Sequence, residues 1–512
     1  MELAPIFTDP MVIQRDLPIK VFGTGDGTAK VSFMGETVSA TAENGKWCAT
    51  LSPRPFGGPY TMSINLGGEE FAINDIMIGD VFIAGGQSNM EMPLFKTEYG
   101  FEEAKYCKND NIRYFTVARR YKPGTDNHAW HFVDMYTCDT PWQKCCEESS
   151  INFTAIGHYF AKYIHAETNV PVGIISCNWG GRKIEAFTAK EYLYSNPVTE
   201  RLIKEFDEHN SSLDMEQYEI KYTKFLEDIK KYVTEIKLNH MEYTRNVGLC
   251  PAVLKSGSND MPYPEYGPYD SVSPSTLWES MFSTIVPYGV RAFLWYQGES
   301  NGTEPDYTSK YLALLECLRD NFECDMDAYA VELAPWLGSI NACIRQSENI
   351  LVEGGNWAFL REQQQLATET GKKNYLVTTQ ELGDMYDIHP KNKKDVAYRL
   401  ALKVLKYTYG MDIKADQPVF RSAEFAGGKA YITLDHADGL FGNVNEVLMY
   451  IAGKDRVPHR AKVEILPDNR LCVYSDAVPE PVLVRYAFCM HYFGMHLYND
   501  AGLPLAPFRT DK

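Results

Sequence analysis

The chain has 512 residues, 45% of them hydrophobic and 23% charged, with a formal net charge of -18. This is the composition of a globular protein, and the length predicts two to four domains. The acidic balance argues against nucleic acid and anionic lipid as partners, and no stretch approaches the roughly 18 apolar residues of a membrane-spanning helix.

Met1-Glu2-Leu3-Ala4-Pro5 carries neither a basic start nor an apolar run, so no signal peptide is expected. The 12 cysteines are scattered, two are adjacent (Cys145 and Cys146), and none forms a CxxC pair or a zinc-type cluster. They read as free thiols, which points to the cytoplasm, or to export if a leader has been removed. Aromatic residues make up 13% of the chain, which suits sugar stacking but is read first as an aromatic-rich core.

Residues 1–75 are predicted to form an N-terminal β domain of short strands, including Ile19–Phe22, Lys30–Met34 and Tyr60–Ile64, with glycine-rich turns between them. From 76 to 414, apolar strands at Val81–Ala84, Val172–Ser176, Ala292–Trp295, Ala328–Val331 and Tyr375–Thr378 alternate with helical segments. One helix face carries Ile156, Tyr159, Phe160, Tyr163 and Ile164. This alternation predicts an α/β fold with a parallel sheet, whose sites form at the carboxyl ends of the strands. An insertion spans about 200–275. It holds a solvated helix through Tyr218, Tyr222, Phe225, Ile229, Tyr232 and Ile236, then a Pro- and Gly-rich loop over 250–275 that either walls the site or is plain surface. Residues 415–512 return to short strands, such as Ala430–Leu434 and Lys462–Ile465.

Four motifs carry the chemistry. Gly85-Gly86-Gln87-Ser88-Asn89-Met90 follows a strand and places Ser88 at a helix start, as a nucleophile or as a capping residue. Met90 rules out the GxSxG elbow. Asn178-Trp179-Gly180-Gly181 offers glycine N–H groups for close approach, or simply a tight turn. In Trp295-Tyr296-Gln297-Gly298-Glu299-Ser300-Asn301, Gln297 or Asn301 is an oxyanion donor or a loop cap. Asp387-Ile388-His389-Pro390 supplies a base and an acid to orient it. Together the four provide every part of a serine acyl-transfer site.

At these residues the chain resembles the sialate O-acetylesterase family of the SGNH-hydrolase superfamily. The likeness begins at Phe7-Thr8-Asp9-Pro10-Met11 and runs through the four motifs and Lys391-Asn392-Lys393 to Pro507-Phe508-Arg509-Thr510. It implies a flavodoxin-like three-layer sandwich with accessory β-rich regions at both ends and no metal or organic cofactor. It implies Ser88 as nucleophile and His389 as base. The Ser88 N–H, a glycine N–H at Gly180 or Gly181, and the Gln297 side chain would form the oxyanion hole.

Two departures stand out. Tyr386 occupies the place three before the histidine where many members carry the acid, so Asp387 is preferred, with Asp384 and Glu299 as rivals. Arg182 follows the glycine pair where a small residue is expected, and is read as a contact for an anionic sugar or as a surface ion pair; Asn301 and Glu299 join it as substrate-side candidates. The expected activity is removal of O-acetyl groups from a sugar, sialate first and acetylated xylan or another oligosaccharide next. A non-catalytic glycan-binding protein is the alternative of a different class.

Overall fold

The computed structural model describes residues 1–120, 140–229, 231, 264–302, 304, 306–337, 355–492 and 494–511. Its centre is a sheet whose strands run, edge to edge, Thr140–Cys145, Asn109–Thr116, Val172–Asn178, Glu69–Gly86, Ala292–Tyr296, Asp327–Val331 and Asn374–Val377. All neighbours are parallel except the first pair. The apolar runs are continuous because both faces are covered: every residue of Val172–Asn178 and of Ala292–Tyr296 is buried. The helices Ala155–Thr168 and Lys393–Tyr407 pack together, with the rings of Tyr163 and Tyr398 5.3 Å apart.

Glu69–Gly86 joins the N-terminal region to this sheet. Its first half pairs antiparallel with Gly57–Leu66, and its second half runs between Val172–Asn178 and Ala292–Tyr296. The division placed at 75/76 therefore falls inside one strand, and a single apolar cluster extends from Ile6 to Leu405. Residues 430–508 enclose a second cluster, beneath two four-stranded sheets. The architecture is the expected α/β fold with accessory β-rich regions at both ends. In the insertion, residues 215–229 are helical, and Tyr218, Tyr222, Phe225 and Ile229 are buried. Tyr232, Ile236 and the loop to residue 263 lie outside the described residues.

The register sets the site. Gly86 is level with Asn178 on one side and with Tyr296 on the other, so three strands end together. The motifs that begin at Gln87, Trp179 and Gln297 leave the sheet at one edge.

Candidate active site

Gly86 has φ +138, and a Cβ on it would lie 2.2 Å from the Tyr296 carbonyl oxygen, so only glycine fits between the strands here. The chain then turns into the short helix Ser88–Glu91. The Gln87 Oε1 accepts the N–H groups of Gly298 (3.4 Å) and Ser300 (3.3 Å), which fastens the Ser88 turn to the turn after Tyr296. Gly180 lies against Ser88: a Cβ at 180 would stand 3.1 Å from the Ser88 Cβ.

His389 reaches this corner from the loop before Lys393–Tyr407, and its Nε2 is 2.7 Å from Ser88 Oγ. Asp387 Oδ1 accepts the His389 backbone N–H at 2.8 Å and lies 3.5 Å from Nδ1. Asp384 instead accepts the N–H groups of Tyr386 and Asp387, and Glu299 bonds to Asn89. Of the three candidate acids, Asp387 is the one beside the imidazole. Burial holds the His389 pKa below its ordinary 6.5; Asp387 opposes this, and Lys393 adds to it.

Asn89 and Lys393 belong to the motifs but carried no assigned role. The Asn89 Nδ2 donates to the Ile388 carbonyl (3.0 Å) and to Glu299 Oε1 (2.5 Å), while its Oδ1 accepts Lys393 Nζ at 2.6 Å. Lys393 is buried, with its ammonium 5.4 Å from the Tyr296 ring centre. Burial lowers its pKa to about 7.

Several expected roles shift. The Gln297 Nε2 donates to the Arg182 carbonyl (3.1 Å) and Asn301 Oδ1 (2.7 Å), and its Oε1 accepts the Tyr307 hydroxyl (2.8 Å). Both amide hydrogens are engaged, so none remains for an oxyanion in this arrangement. Asn301 is fully buried, bonding Ile184 N, Gln297, Glu185 and Glu304, so it holds the loop rather than a sugar. Glu299 also turns inward: one oxygen meets Asn89, and the other is buried without a hydrogen bond, so desolvation raises its pKa.

The Gly180 N–H is taken by Glu91 Oε2 at 2.7 Å, which also pairs with Arg119 at 3.0 Å. Among the described residues, no acceptor meets the N–H of Ser88 or Gly181. Arg182 stacks over Trp179 (4.9 Å), donates to the Gly180 carbonyl (2.9 Å), and bonds Ser271 of the insertion through Nη2 (2.6 Å). Glu91 and Arg119 escaped sequence reasoning because neither stands at a strand end with a recognisable partner nearby in sequence.

Away from this corner, Cys107, Cys145 and His158 bring metal-type donor atoms within 4.8 Å of one another. Each already has a protein partner. The Cys107 thiol donates to the Ala104 carbonyl and the Cys145 thiol to the Cys107 carbonyl, while His158 stands between the Tyr114 hydroxyl and Glu103. They read as a satisfied polar cluster in the core.

A serine in hydrogen-bond contact with a histidine, at the carboxyl edge of a parallel sheet and with free backbone N–H groups beside it, is the arrangement of a serine hydrolase. Residues 78–241 match the family model for carbohydrate esterase, sialic acid-specific acetylesterase. The chain is 23% identical over 440 residues to the sialate O-acetylesterase of Rattus norvegicus, covering 78% of this chain and 72% of that one. It is 21% identical over 470 residues to the human sialate O-acetylesterase, covering 85% and 76%. A crystal structure of a carbohydrate acetylesterase from Xanthomonas citri superposes with a TM-score of 0.75 at 27% identity, over 100% of this chain and 99% of that one. The chain is similar to sialate O-acetylesterases and to a carbohydrate acetylesterase, and is a carbohydrate O-acetylesterase.

Proposed function

We propose that the protein hydrolyses acetyl esters of sialic acid, with Ser88 as nucleophile and His389 as general base. The 2.7 Å contact between His389 Nε2 and Ser88 Oγ carries the assignment. Neutral His389 bears its proton on Nδ1, towards Asp387, and takes the Ser88 proton at Nε2 as Oγ attacks the acetyl carbonyl. The N–H groups of Ser88 and Gly181 receive the oxyanion. As the carbon–oxygen bond to the sugar breaks, His389 returns its proton to the departing hydroxyl and leaves acetyl-Ser88. Water, deprotonated by His389, then releases acetate.

Sialate is favoured over a neutral sugar by the likeness to sialate O-acetylesterases and by the Arg182 cation beside Gly181, which would meet the sugar carboxylate. Acetate release from O-acetylated sialic acid and from acetylated xylan, compared side by side, tests this reading. Faster release from sialate, with the preference lost in Arg182→Ala, is the expected result. Preference for xylan would make the enzyme an acetyl-oligosaccharide esterase.

A further inference from the structure

Asn89 reaches across the fold to the loop that carries His389. Its amide has one orientation only. As an ammonium, Lys393 Nζ is a donor with no acceptor capacity, and the Ile388 carbonyl and the bonded Glu299 oxygen accept. Rotating the amide by half a turn would set NH2 against the ammonium and oxygen against two oxygens. Lys393, together with the Ile388 and Glu299 oxygens, therefore fixes which way Asn89 points, with its N–H groups on Ile388, the residue before the base. Lys393 opens the helix Lys393–Tyr407, where a positive charge is disfavoured, and it is buried there. Its surroundings compensate through Glu299, Asn89 and the Tyr296 ring face.

We propose that Asn89 and Lys393 are positioning residues of the ester hydrolysis: Lys393 orients the Asn89 amide, and that amide holds the His389 loop on the Ser88 turn. Glu299 anchors the same amide from the other side. The proposal rests on Ser88 and His389 performing the acyl transfer. Neither positioning residue touches the ester. They act on the Ser88–His389 geometry, whose displacement by about 1 Å costs on the order of 100-fold in rate.

The test uses Asn89→Asp, close in shape but without the two N–H groups, and Lys393→Met, close in shape but without donor or charge. Thermal unfolding establishes that each is folded. The readouts are kcat and KM for acetate release, and the rate at which a fluorophosphonate ester labels Ser88, which needs the nucleophile and base but no sugar. Both variants are expected to lose about 10- to 100-fold in kcat and in labelling rate, with KM within about threefold. In Lys393→Met the acid limb of the kcat/KM profile is expected to move to higher pH, because a positive charge near His389 is gone; packing damage alone would not do this. The double variant should lose no more than the worse single one, since both break the same tie.

Folded variants that label and turn over at the wild-type rate would overturn the proposal. If one variant does not fold, the other decides. If the wild type is not labelled at Ser88, the reading of Ser88 itself falls, and the positioning role with it.

Discussion

The side-chain amide of Asn89 lies 3.0 Å from the carbonyl oxygen of Ile388. The residue after Ser88 thus holds the residue before His389, and Gln87, on the other side of Ser88, holds the turn at Gly298 and Ser300. Ser88 and His389 stand 301 residues apart in the chain. Their contact depends on such ties between loops, since the sheet positions only the strand that leads into Ser88.

The acid limb of the pH profile should lie below that of an ordinary histidine. Among the described residues, Asp387 and Glu91 raise the His389 pKa, Lys393 and Lys96 lower it, and burial, the largest influence, lowers it. A base must be neutral to act, and a lowered pKa keeps it neutral at lower pH. Measured from about pH 4.5 to 7, the acid limb of kcat/KM should have its midpoint below about 6.5. A midpoint above that value would contradict the site's electrostatics.

Asp387→Asn should cost on the order of 10-fold in kcat, well short of the roughly 10,000-fold seen where a buried triad acid is neutralised. The Asp387 side chain is 45% exposed and 3.5 Å from Nδ1, so its charge is screened. Asparagine can still accept the His389 backbone N–H, so the substitution isolates the charge. Steady-state acetate release measures the effect, and a loss near 10,000-fold would show a stronger coupling than this geometry provides.

Gln297→Ala is expected to act through stability. It removes both amide bonds in a buried loop and leaves the Arg182 carbonyl without that donor and the Tyr307 hydroxyl without that acceptor, at a cost of about 1–3 kcal/mol. Thermal unfolding should show the loss, with turnover per folded molecule reduced less than 100-fold. Full stability with a loss beyond 100-fold would return Gln297 to the oxyanion hole.

The sequence made the strand ends and their motifs legible, because continuous apolar runs stop at glycines where Gly86, Asn178 and Tyr296 come level. The motifs of Ser88 and His389 meet at 2.7 Å, and Asp387 lies 3.5 Å from the imidazole Nδ1. The strand Asn109–Thr116 was not legible: it opens with Asn-Asp-Asn and contains Arg113, a buried arginine paired with Asp75 at 2.8 Å. Gln297 and Asn301 were recognised as site-loop residues, but their roles were not readable. Periodicity reports which residues are buried, whereas a buried amide's role depends on partners such as Arg182, Tyr307 and Glu185, far away in the chain. Glu91, Asn89 and Lys393 escaped for the same reason.

The most direct test of the central claim is acetate release from O-acetylated sialic acid by wild type and by Ser88→Ala, with both proteins shown to be folded. The Ser88–His389 assignment predicts steady release by the wild type and a loss of at least about 1,000-fold in the variant. Release by Ser88→Ala at a rate close to wild type would contradict it, and would place the ester-cleaving group elsewhere in the molecule.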